Sequence, residues 1–291
     1  MDVLVVGAGA MGEWFARTVG ADVAFADVDR TAAKAAASSV GGRAVPLDGD
    51  DTFDAVCVAV PISEVAEAIA GQAHRARSAL LDVTGAMEPA VEAMRAAAPE
   101  RERVSTHPLF APENAPGNVA VVRDREGPTS DALLADLADA DNELFETTPT
   151  EHDSAMETVQ AAAHAAVLSY ALAAREVRPE FHTPVSGDLA DLVGTVTGGN
   201  PAVYREIQAT FDGAERVAEA ASRLATADLE SGAFEALYRE AGSGAGALGE
   251  EPDGVGDRDT GCADPGTGAV DPEPGDDREF APDGRPGGDG Q

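Results

Sequence analysis

Short apolar runs alternate with helical patterns over residues 1–147, and this alternation constrains the fold more than any other feature. The runs read DVLVVGAG, DVAFADVD, AVCVAVPIS, ALLDVTG and VSTHPLF, with NVAVVRD and NELFETT after them. Strands this apolar are typical of sheets that helices cover on both faces. The sequence therefore predicts an α/β fold whose N-terminal domain, residues 1–147, is a Rossmann-type doubly wound parallel sheet.

The β signal stops near residue 148. Alanine-rich segments, interrupted at RPEFHTP and TGGNP, predict an all-α helical domain over residues 148–242. Small side chains let helices pack closely, so this bundle is suited to pairing with a second subunit. Residues 243–291 are mostly Gly, Pro, Asp and Glu with almost no large apolar side chain, which predicts a disordered acidic tail.

The chain is strongly acidic: 53 Asp and Glu against 20 Lys and Arg give a net charge of −33, and the only lysine is Lys34. An acidic, lysine-poor surface keeps a protein soluble when salt screens its charges, which predicts a salt-adapted host. Nucleic acid and anionic membranes are disfavoured as partners, because phosphate binding needs clustered Lys and Arg.

The remaining composition points to a cytoplasmic protein. The longest apolar runs are too short to cross a bilayer, and no cleavable leader precedes Met1. The two cysteines, Cys57 and Cys262, form neither a disulfide framework nor a metal-ligand spacing. Cys57 lies in an apolar run and is predicted to be a small core residue.

A Gly-x-Gly-x-x-Gly pattern follows the first predicted strand and precedes a helix. Gly7 suits a tight turn, Gly9 lets the backbone approach a pyrophosphate, and Gly12 allows close packing of helix on strand. The helix start at Ala10 and Met11 offers N–H donors to phosphates. The pattern predicts a dinucleotide cofactor, and the alternative is a glycine turn in an α/β protein that binds no nucleotide.

Asp27 ends the second predicted strand, twenty residues after Gly7. A carboxylate at this place hydrogen-bonds the ribose hydroxyls and repels the 2′-phosphate of NADP, so NAD is the predicted cofactor. Arg30 nearby keeps NADP as the less favoured choice. Pro61 and Ser63 follow the AVCVAV strand at the ligand-facing edge of the sheet and are predicted cofactor contacts.

An enzyme that oxidises an alcohol needs a group that takes the hydroxyl proton, and a neutral histidine suits this role. His107 follows a predicted strand in STHPLFAP, and Pro108 holds the backbone extended, which places the ring at the mouth of the crevice. A loop histidine without a catalytic role is the alternative. His74 and His182 are predicted to lie at an exposed helix end and in a turn.

Residues 148–174 predict one long helix that carries His152 and His164. Thr150 with Asp153 three residues on resembles a capping box, which would put His152 in the first turn. The two histidines lie twelve residues apart, roughly 120° around and about 18 Å along the axis, so they cannot bind one metal ion. No metal site is predicted, and a buried structural role is the alternative for each ring.

Taken together, these motifs resemble the prephenate dehydrogenase family, which includes arogenate dehydrogenases of tyrosine biosynthesis. The matching pieces occur in the family's order: GAGAMG, VAVPI, LLDVT, HPLFAP, EHDSAMETVQAAAH, TPV and NPAVY. The spacing of EHD, Q and H is the most specific part. The resemblance covers about residues 1–240 and leaves the tail without a counterpart.

The resemblance implies NAD-dependent oxidative decarboxylation of a cyclohexadienyl dicarboxylate. Hydride leaves the carbinol carbon for the nicotinamide while the ring carboxylate departs as CO2; prephenate would give 4-hydroxyphenylpyruvate and arogenate would give tyrosine. It also implies that His107 accepts a hydrogen bond from the ring hydroxyl, and that two subunits form a homodimer through the helical domain. The residues it implies at the substrate are His152, Gln160 and His164.

The sequence departs from the family at the end of the predicted strand ALLDVTG. The usual D-x-x-S-x-K has Gly85 in place of the serine that supports the catalytic histidine, and Met87 in place of the lysine. Thr84 is the candidate that replaces the serine hydroxyl in catalysis.

A second departure concerns substrate charge. The arginine that commonly binds the side-chain carboxylate falls on Gly213, and Arg205 and Arg216 on the same predicted helix are the candidates to replace it. These losses keep open a second class, a non-catalytic NAD-binding paralogue with a regulatory role. Another hydroxyacid or imine dehydrogenase is a third reading, which the HP and EHD motifs disfavour.

Overall fold

The computed structural model describes residues 1–248 of the chain, with side chains to residue 244. Within this part, eight strands form one sheet in the order β3-β2-β1-β4-β5-β6-β7-β8. The strands are β1 Asp2–Val6, β2 Asp22–Ala26, β3 Arg43–Ala44, β4 Phe53–Val58, β5 Ala76–Asp82, β6 Glu102–Pro108, β7 Asn118–Arg125 and β8 Glu143–Glu146. The α/β fold class predicted from the sequence is confirmed.

The helices alternate with the strands up to residue 146 and then follow one another. They are α1 Ala10–Thr18, α2 Arg30–Val40, α3 Val65–Gln72, α4 Met87–Ala97, α5 Pro128–Asp139, α6 Pro149–Met156, α7 Ala163–Ala173, α8 Pro184–Gly198, α9 Pro201–Thr210, α10 Gly213–Thr226 and α11 Ala233–Leu248. None of these helices in residues 1–248 is long and apolar enough to cross a membrane.

Neighbouring strands are parallel except β6 and β7, which pair antiparallel. A parallel return needs a crossover of about a dozen or more residues, usually with a helix. The link from Pro108 to Asn118 contains only a short 3₁₀ turn at Pro112–Asn114, so β7 reverses direction beside β6. The sheet is therefore parallel over β1 to β6 and mixed at this one pairing.

Two apolar layers cover the sheet, as expected for runs without polar alternation. On one face, Phe15 of α1 and Leu133 of α5 pack on the side chains of β1 and β4, including Cys57. On the other, Ile69 of α3 and Met94 of α4 pack on the alternate side chains of the same strands. Cys57 is fully buried in the first layer, which confirms its predicted place in the core.

The region after the sheet differs from one long helix. Thr148, rather than Thr150, caps α6 by accepting a hydrogen bond from the Glu151 N–H, and Pro149 begins the helix. A π-helical segment, Glu157–Ala162, then separates α6 from α7. The extra residue of a π turn rotates the side chains that follow, so α6 and α7 do not share a single helical face.

The domain bounds predicted from the sequence stay predictions. β8 ends at Glu146 and α6 begins at Pro149, near the predicted boundary at residue 147, but residues Met1–Phe234 form one compact unit and a second unit begins at Glu235. Helix α11 continues to Leu248, past residue 243, where the tail is predicted to start. The rest of the tail, residues 249–291, lies outside the described residues.

Candidate active site

The glycine turn joins β1 to α1 at the carboxyl end of the sheet. Gly7 has φ +105°, and a Cβ on it would lie 2.2 Å from the Ala59 carbonyl oxygen. A Cβ on Gly12 would lie 2.2 Å from the Gly7 carbonyl oxygen. Both positions require glycine because a side chain would collide with backbone.

The packing of the described chain does not itself require glycine at position 9. Gly9 is the N-cap of α1 in extended conformation, and nothing in the described chain lies within 4 Å of where its Cβ would stand. The first hydrogen bond of α1 runs from the Glu13 N–H to the Gly9 carbonyl, so the N–H groups of Ala10, Met11 and Gly12 have no acceptor within the helix. This open backbone surface fits an anionic phosphate group.

Asp27 lies directly after β2, half-buried, beside the glycine turn. Its carboxylate accepts hydrogen bonds from the N–H groups of Ala8, at 2.7 Å, and Asp29, at 2.8 Å. The side chain of Arg30 is mostly exposed at the start of α2 and forms an ion pair with Asp48 at 3.7 Å. The charge nearest the turn is therefore the Asp27 carboxylate, which retains lone pairs for a further donor.

The predicted cofactor contacts after β4 lie in a loop that reaches the later helices. Pro61 precedes a 3₁₀ turn, and the N–H of Ser63 donates to the Glu206 carboxylate of α9 at 2.9 Å. This hydrogen bond holds the sheet edge against α9.

His107 and His152 form a hydrogen-bonded pair across the same edge. His107 lies near the end of β6, and its Nδ1 is 2.8 Å from Nε2 of His152 on α6; the rings are 8% and 3% exposed. The other nitrogen of His152, Nδ1, lies 2.7 Å from Oδ1 of Asp153. His152, predicted to contact substrate, therefore has protein partners at both ring nitrogens, which leaves none for a ligand.

Burial is the main cause that lowers the pKa of His107 to about 3. Repulsion from His152 adds to the effect, and the Asp153 carboxylate opposes it. The ring is therefore neutral near neutral pH, as a proton-accepting group must be.

The Thr84 hydroxyl is buried and hydrogen-bonded to a carboxylate. Its Oγ1 is 2.5 Å from Oδ2 of Asp82, to which it donates, and only 4% of the residue is exposed. Burial raises the pKa of Asp82 to about 7, against the hydrogen bonds from Thr84. The hydroxyl proton of Thr84 is thus donated to Asp82, and the catalytic role of Thr84 at His107 stays a prediction.

Gly85 and Met87 are the residues at the two positions where this loop differs from the family's D-x-x-S-x-K pattern. A Cβ on Gly85 would stand 3.7 Å from Nε2 of His107 and 3.1 Å from Cδ1 of Ile62. Met87 begins α4 and is fully buried in the core. Position 85 is thus adjacent to the outward nitrogen of His107, but glycine leaves that nitrogen without a hydroxyl partner.

Gln160 of the π-helical segment lies close to His107, and His164 of α7 lies against α9. The Gln160 amide Nε2 is 3.5 Å from Nε2 of His107, the outer limit of a hydrogen bond. His164 is half-buried against Tyr204 of α9, with ring centroids 4.8 Å apart, and its Nδ1 has no partner. Burial lowers the pKa of His164. These groups are neutral and polar.

A cleft of about 430 Å³ lies among α7, α8 and α9. His107 is not among its lining residues, although Tyr204, which contacts His164, is. The lining residues are Leu168, Val196, Thr197, Gly199, Pro201, Tyr204, Arg205 and Gln208.

Neither candidate arginine reaches His107 directly. The side chain of Arg205 is 75% exposed and lies 3.6 Å from Glu206, at the rim of the cleft. Arg216 on α10 forms an ion pair with Glu157 of the π-helical segment. No group of three or more His, Cys, Asp or Glu in residues 1–248 is arranged to hold a metal ion.

Gly213 shows why the expected arginine is absent. It begins α10, and a Cβ on it would lie 2.3 Å from both the Ala162 amide nitrogen and the Glu157 carbonyl oxygen. Helix α10 packs on the π-helical segment so closely that this position admits no side chain.

Comparison with known proteins agrees with this geometry. Residues 15–127 match the family model described as "Prephenate dehydrogenase, nucleotide-binding domain". A 4-amino-4-deoxyprephenate dehydrogenase from Streptomyces pristinaespiralis is 32% identical over 244 residues, which cover 76% of this chain and 81% of that protein.

Two solved structures share the fold. A prephenate dehydrogenase from A. aeolicus, in complex with hydroxyphenyl propionate and NAD+, superposes with a TM-score of 0.63 at 15% identity, covering 86% of this chain and 98% of that one. A putative prephenate dehydrogenase from Corynebacterium glutamicum gives 0.59 at 16%, covering 85% and 89%.

The fold and the family model define the class: an oxidoreductase with a nucleotide-binding sheet followed by helices. Within that class, the chain belongs to the prephenate dehydrogenase family. The family predicted from the sequence motifs is confirmed.

Gly213→Ala is expected to lower the free energy of unfolding by about 1–3 kcal/mol, because the methyl group collides with backbone atoms. Gly194→Ala in α8 is the matched control, since nothing lies within 4 Å of its Cβ position. Denaturant unfolding of both variants checks this, and equal stability of Gly213→Ala and wild type would contradict the packing argument.

Proposed function

We propose that this chain is an NAD-dependent dehydrogenase that oxidatively decarboxylates prephenate to 4-hydroxyphenylpyruvate, as a cytoplasmic enzyme of tyrosine biosynthesis. The observation that carries the proposal is the neutral, buried ring of His107 at the carboxyl edge of the sheet, with Nδ1 occupied by His152 and Nε2 directed elsewhere. Family membership supports the reaction class.

NAD is the proposed cofactor. The open surface at Gly9 and the N–H groups of Ala10 and Met11 would hold the pyrophosphate, and Asp27 would hold the adenosine ribose. Arg30 is paired with Asp48, so it is a weak counter-charge for a 2′-phosphate. The A. aeolicus structure with NAD+ has the same fold, which supports this choice.

The bound nicotinamide would supply the hydride acceptor. The carbon–hydrogen bond at the ring carbinol breaks, the bond to the ring carboxylate breaks to release CO2, and both electron pairs are accounted for in the reduced cofactor and the new aromatic ring. His107 accepts the hydrogen bond of the ring hydroxyl at Nε2 and so stabilises the oxygen as it gains positive character. The hydroxyl proton remains in the phenol product.

4-Amino-4-deoxyprephenate is a second candidate substrate, because the relative that is 32% identical carries its name. An amino group at the same ring carbon can also donate to Nε2 of His107.

Purified protein in high salt with NAD and each substrate separates the candidates by NADH absorbance. Turnover of arogenate would revise the substrate, and cofactor binding without turnover of any of the three would favour the non-catalytic paralogue.

A homodimer through the helical region is part of the proposal. Helix α7 reads AHAAVLSYALA and has no buried residue, and Leu172 on it is 88% exposed. Phe181 and Val185, before and at the start of α8, are 66% and 71% exposed. Large apolar side chains grouped in this way are typical of an interface.

Gly7→Ala is expected to unfold the turn, because φ +105° and the Ala59 carbonyl both exclude a side chain. Gly9→Ala should keep wild-type thermal stability but weaken NAD binding about tenfold or more, which corresponds to ~1.4 kcal/mol. Thermal unfolding and titration calorimetry measure the two effects. Unchanged NAD affinity in Gly9→Ala would contradict the proposed pyrophosphate site.

His107→Asn is expected to lower kcat about 100-fold or more and to leave NAD affinity unchanged, because only the acceptor at the reacting hydroxyl is lost. His74→Asn, an exposed histidine at the end of α3, is the matched control and should retain full activity. Initial-rate kinetics with prephenate test this, and wild-type turnover in His107→Asn would remove His107 from the reaction.

Leu172→Arg is expected to convert the dimer to a monomer, since it places a charge on the apolar surface of α7. Val28→Arg, at an equally exposed position after β2, is the control and should leave the molecular mass unchanged. Light scattering after gel filtration measures the mass. A monomeric wild-type protein would contradict the dimer.

A further inference from the structure

A chain of hydrogen bonds leads from the start of α4 to His107. The Asp153 carboxylate accepts the N–H of Met87 at Oδ1, at 2.9 Å, and the N–H of Glu88 at Oδ2, at 3.0 Å. Oδ1 also lies 2.7 Å from Nδ1 of His152, whose Nε2 lies 2.8 Å from Nδ1 of His107. The two histidines come from α6 and β6, so the chain crosses between separate elements.

The first member of the chain is ionised. Burial raises the pKa of Asp153, but hydrogen bonds from His152, Met87 and Glu88 outweigh it, so the pKa is lowered overall. The N-terminus of a helix favours a negative charge. The carboxylate of Asp153, a residue of α6, lies against the N-terminus of α4. An ionised carboxylate is only an acceptor of hydrogen bonds.

The positions of the ring protons on His152 and His107 follow from this. Because Asp153 only accepts, Nδ1 of His152 carries the proton that it donates. In the neutral form of His152 this is its one proton, so Nε2 of His152 is an acceptor and Nδ1 of His107 carries the proton between the rings. The lone pair of His107 is then on Nε2.

We propose that Asp153 and His152 are positioning residues that hold His107 in the tautomer with a free lone pair on Nε2. This inference rests on the proposed function for its catalytic consequence, since only that tautomer accepts a hydrogen bond from the substituent on the substrate ring. With the proton on Nε2 instead, His107 and the substrate hydroxyl would both be hydrogen-bond donors, and no hydrogen bond would form between them.

The surroundings of Nε2 of His107 show why Asp153 and His152 matter for its tautomer. On that side, Gly85 offers no side chain, and the Gln160 amide at 3.5 Å is at the limit of a hydrogen bond. The Nδ1 side holds a short bond to a ring that is itself 3% exposed. The orientation and the tautomer of His107 are therefore determined at Nδ1, by the hydrogen bond with His152.

The proposal is tested first on the wild-type protein. With ¹⁵N-labelled histidine, the ring nitrogens of His107, assigned by comparison with His107→Asn, should show a proton on Nδ1 and none on Nε2. A proton on Nε2 of His107 in the neutral ring would overturn the proposal, whatever the enzyme turns over. This measurement needs no substrate, so it stands apart from the proposed function.

Asp153→Ala tests the catalytic consequence. Removing the acceptor lets both histidines change tautomer, so kcat should fall roughly 100-fold while KM and NAD affinity stay near wild type, and the Nε2 signal of His107 should shift towards the protonated form. Wild-type kcat in a folded Asp153→Ala protein would overturn the proposal.

Two controls separate positioning from other effects of Asp153. Asp153 also caps α4, and Thr183→Ala removes a helix cap from α8, where Thr183 accepts the Ser186 N–H; it should lower stability without lowering kcat. Glu88→Gln removes a neighbouring negative charge and should leave both kcat and the tautomer unchanged. If wild type turns over none of the candidate substrates, the proposed function fails, and the tautomer measurement still decides the role of Asp153 and His152.

Discussion

The Asp153 carboxylate at the N-terminus of α4 is the contact on which the arrangement of the site depends. It accepts hydrogen bonds from two backbone N–H groups that α4 cannot satisfy internally, and from Nδ1 of His152 as well. Helix α4 packs on the sheet, whereas Asp153 belongs to the first helix after the sheet. The same carboxylate thus attaches α6 to the edge of the sheet and brings His152 against His107.

The polar groups beside His107 are uncharged, although the chain carries a net charge of −33. Gln160 is a neutral hydrogen-bonding group, and Arg216 is already paired with Glu157. The close approach of Gly213 to the π-helical segment excludes a longer side chain at that position. The site therefore relies on placed hydrogen bonds more than on an arginine beside the reacting ring.

Much of the fold and the cofactor half of the site could be predicted, because their signals are local. In the glycine turn, a side chain at position 7 or 12 would collide with the backbone, so the sequence itself shows glycine at both positions. The place of His107 near the end of a strand is equally local. By contrast, the pairing of His107 with His152 spans 45 residues, and the commitment of Thr84 to Asp82 depends on a buried carboxylate two residues earlier.

The sequence by itself determined the α/β class, the glycine turn, the family and the presence of His107 near the sheet edge, because strand and helix periodicities and backbone sterics act over a few residues. Tertiary structure decided the reversal of β7, the π-helical segment, and the hydrogen bond between His152 and His107. These depend on which distant elements pack together, and hydrogen-bond partners in a buried site are known only once that packing is known.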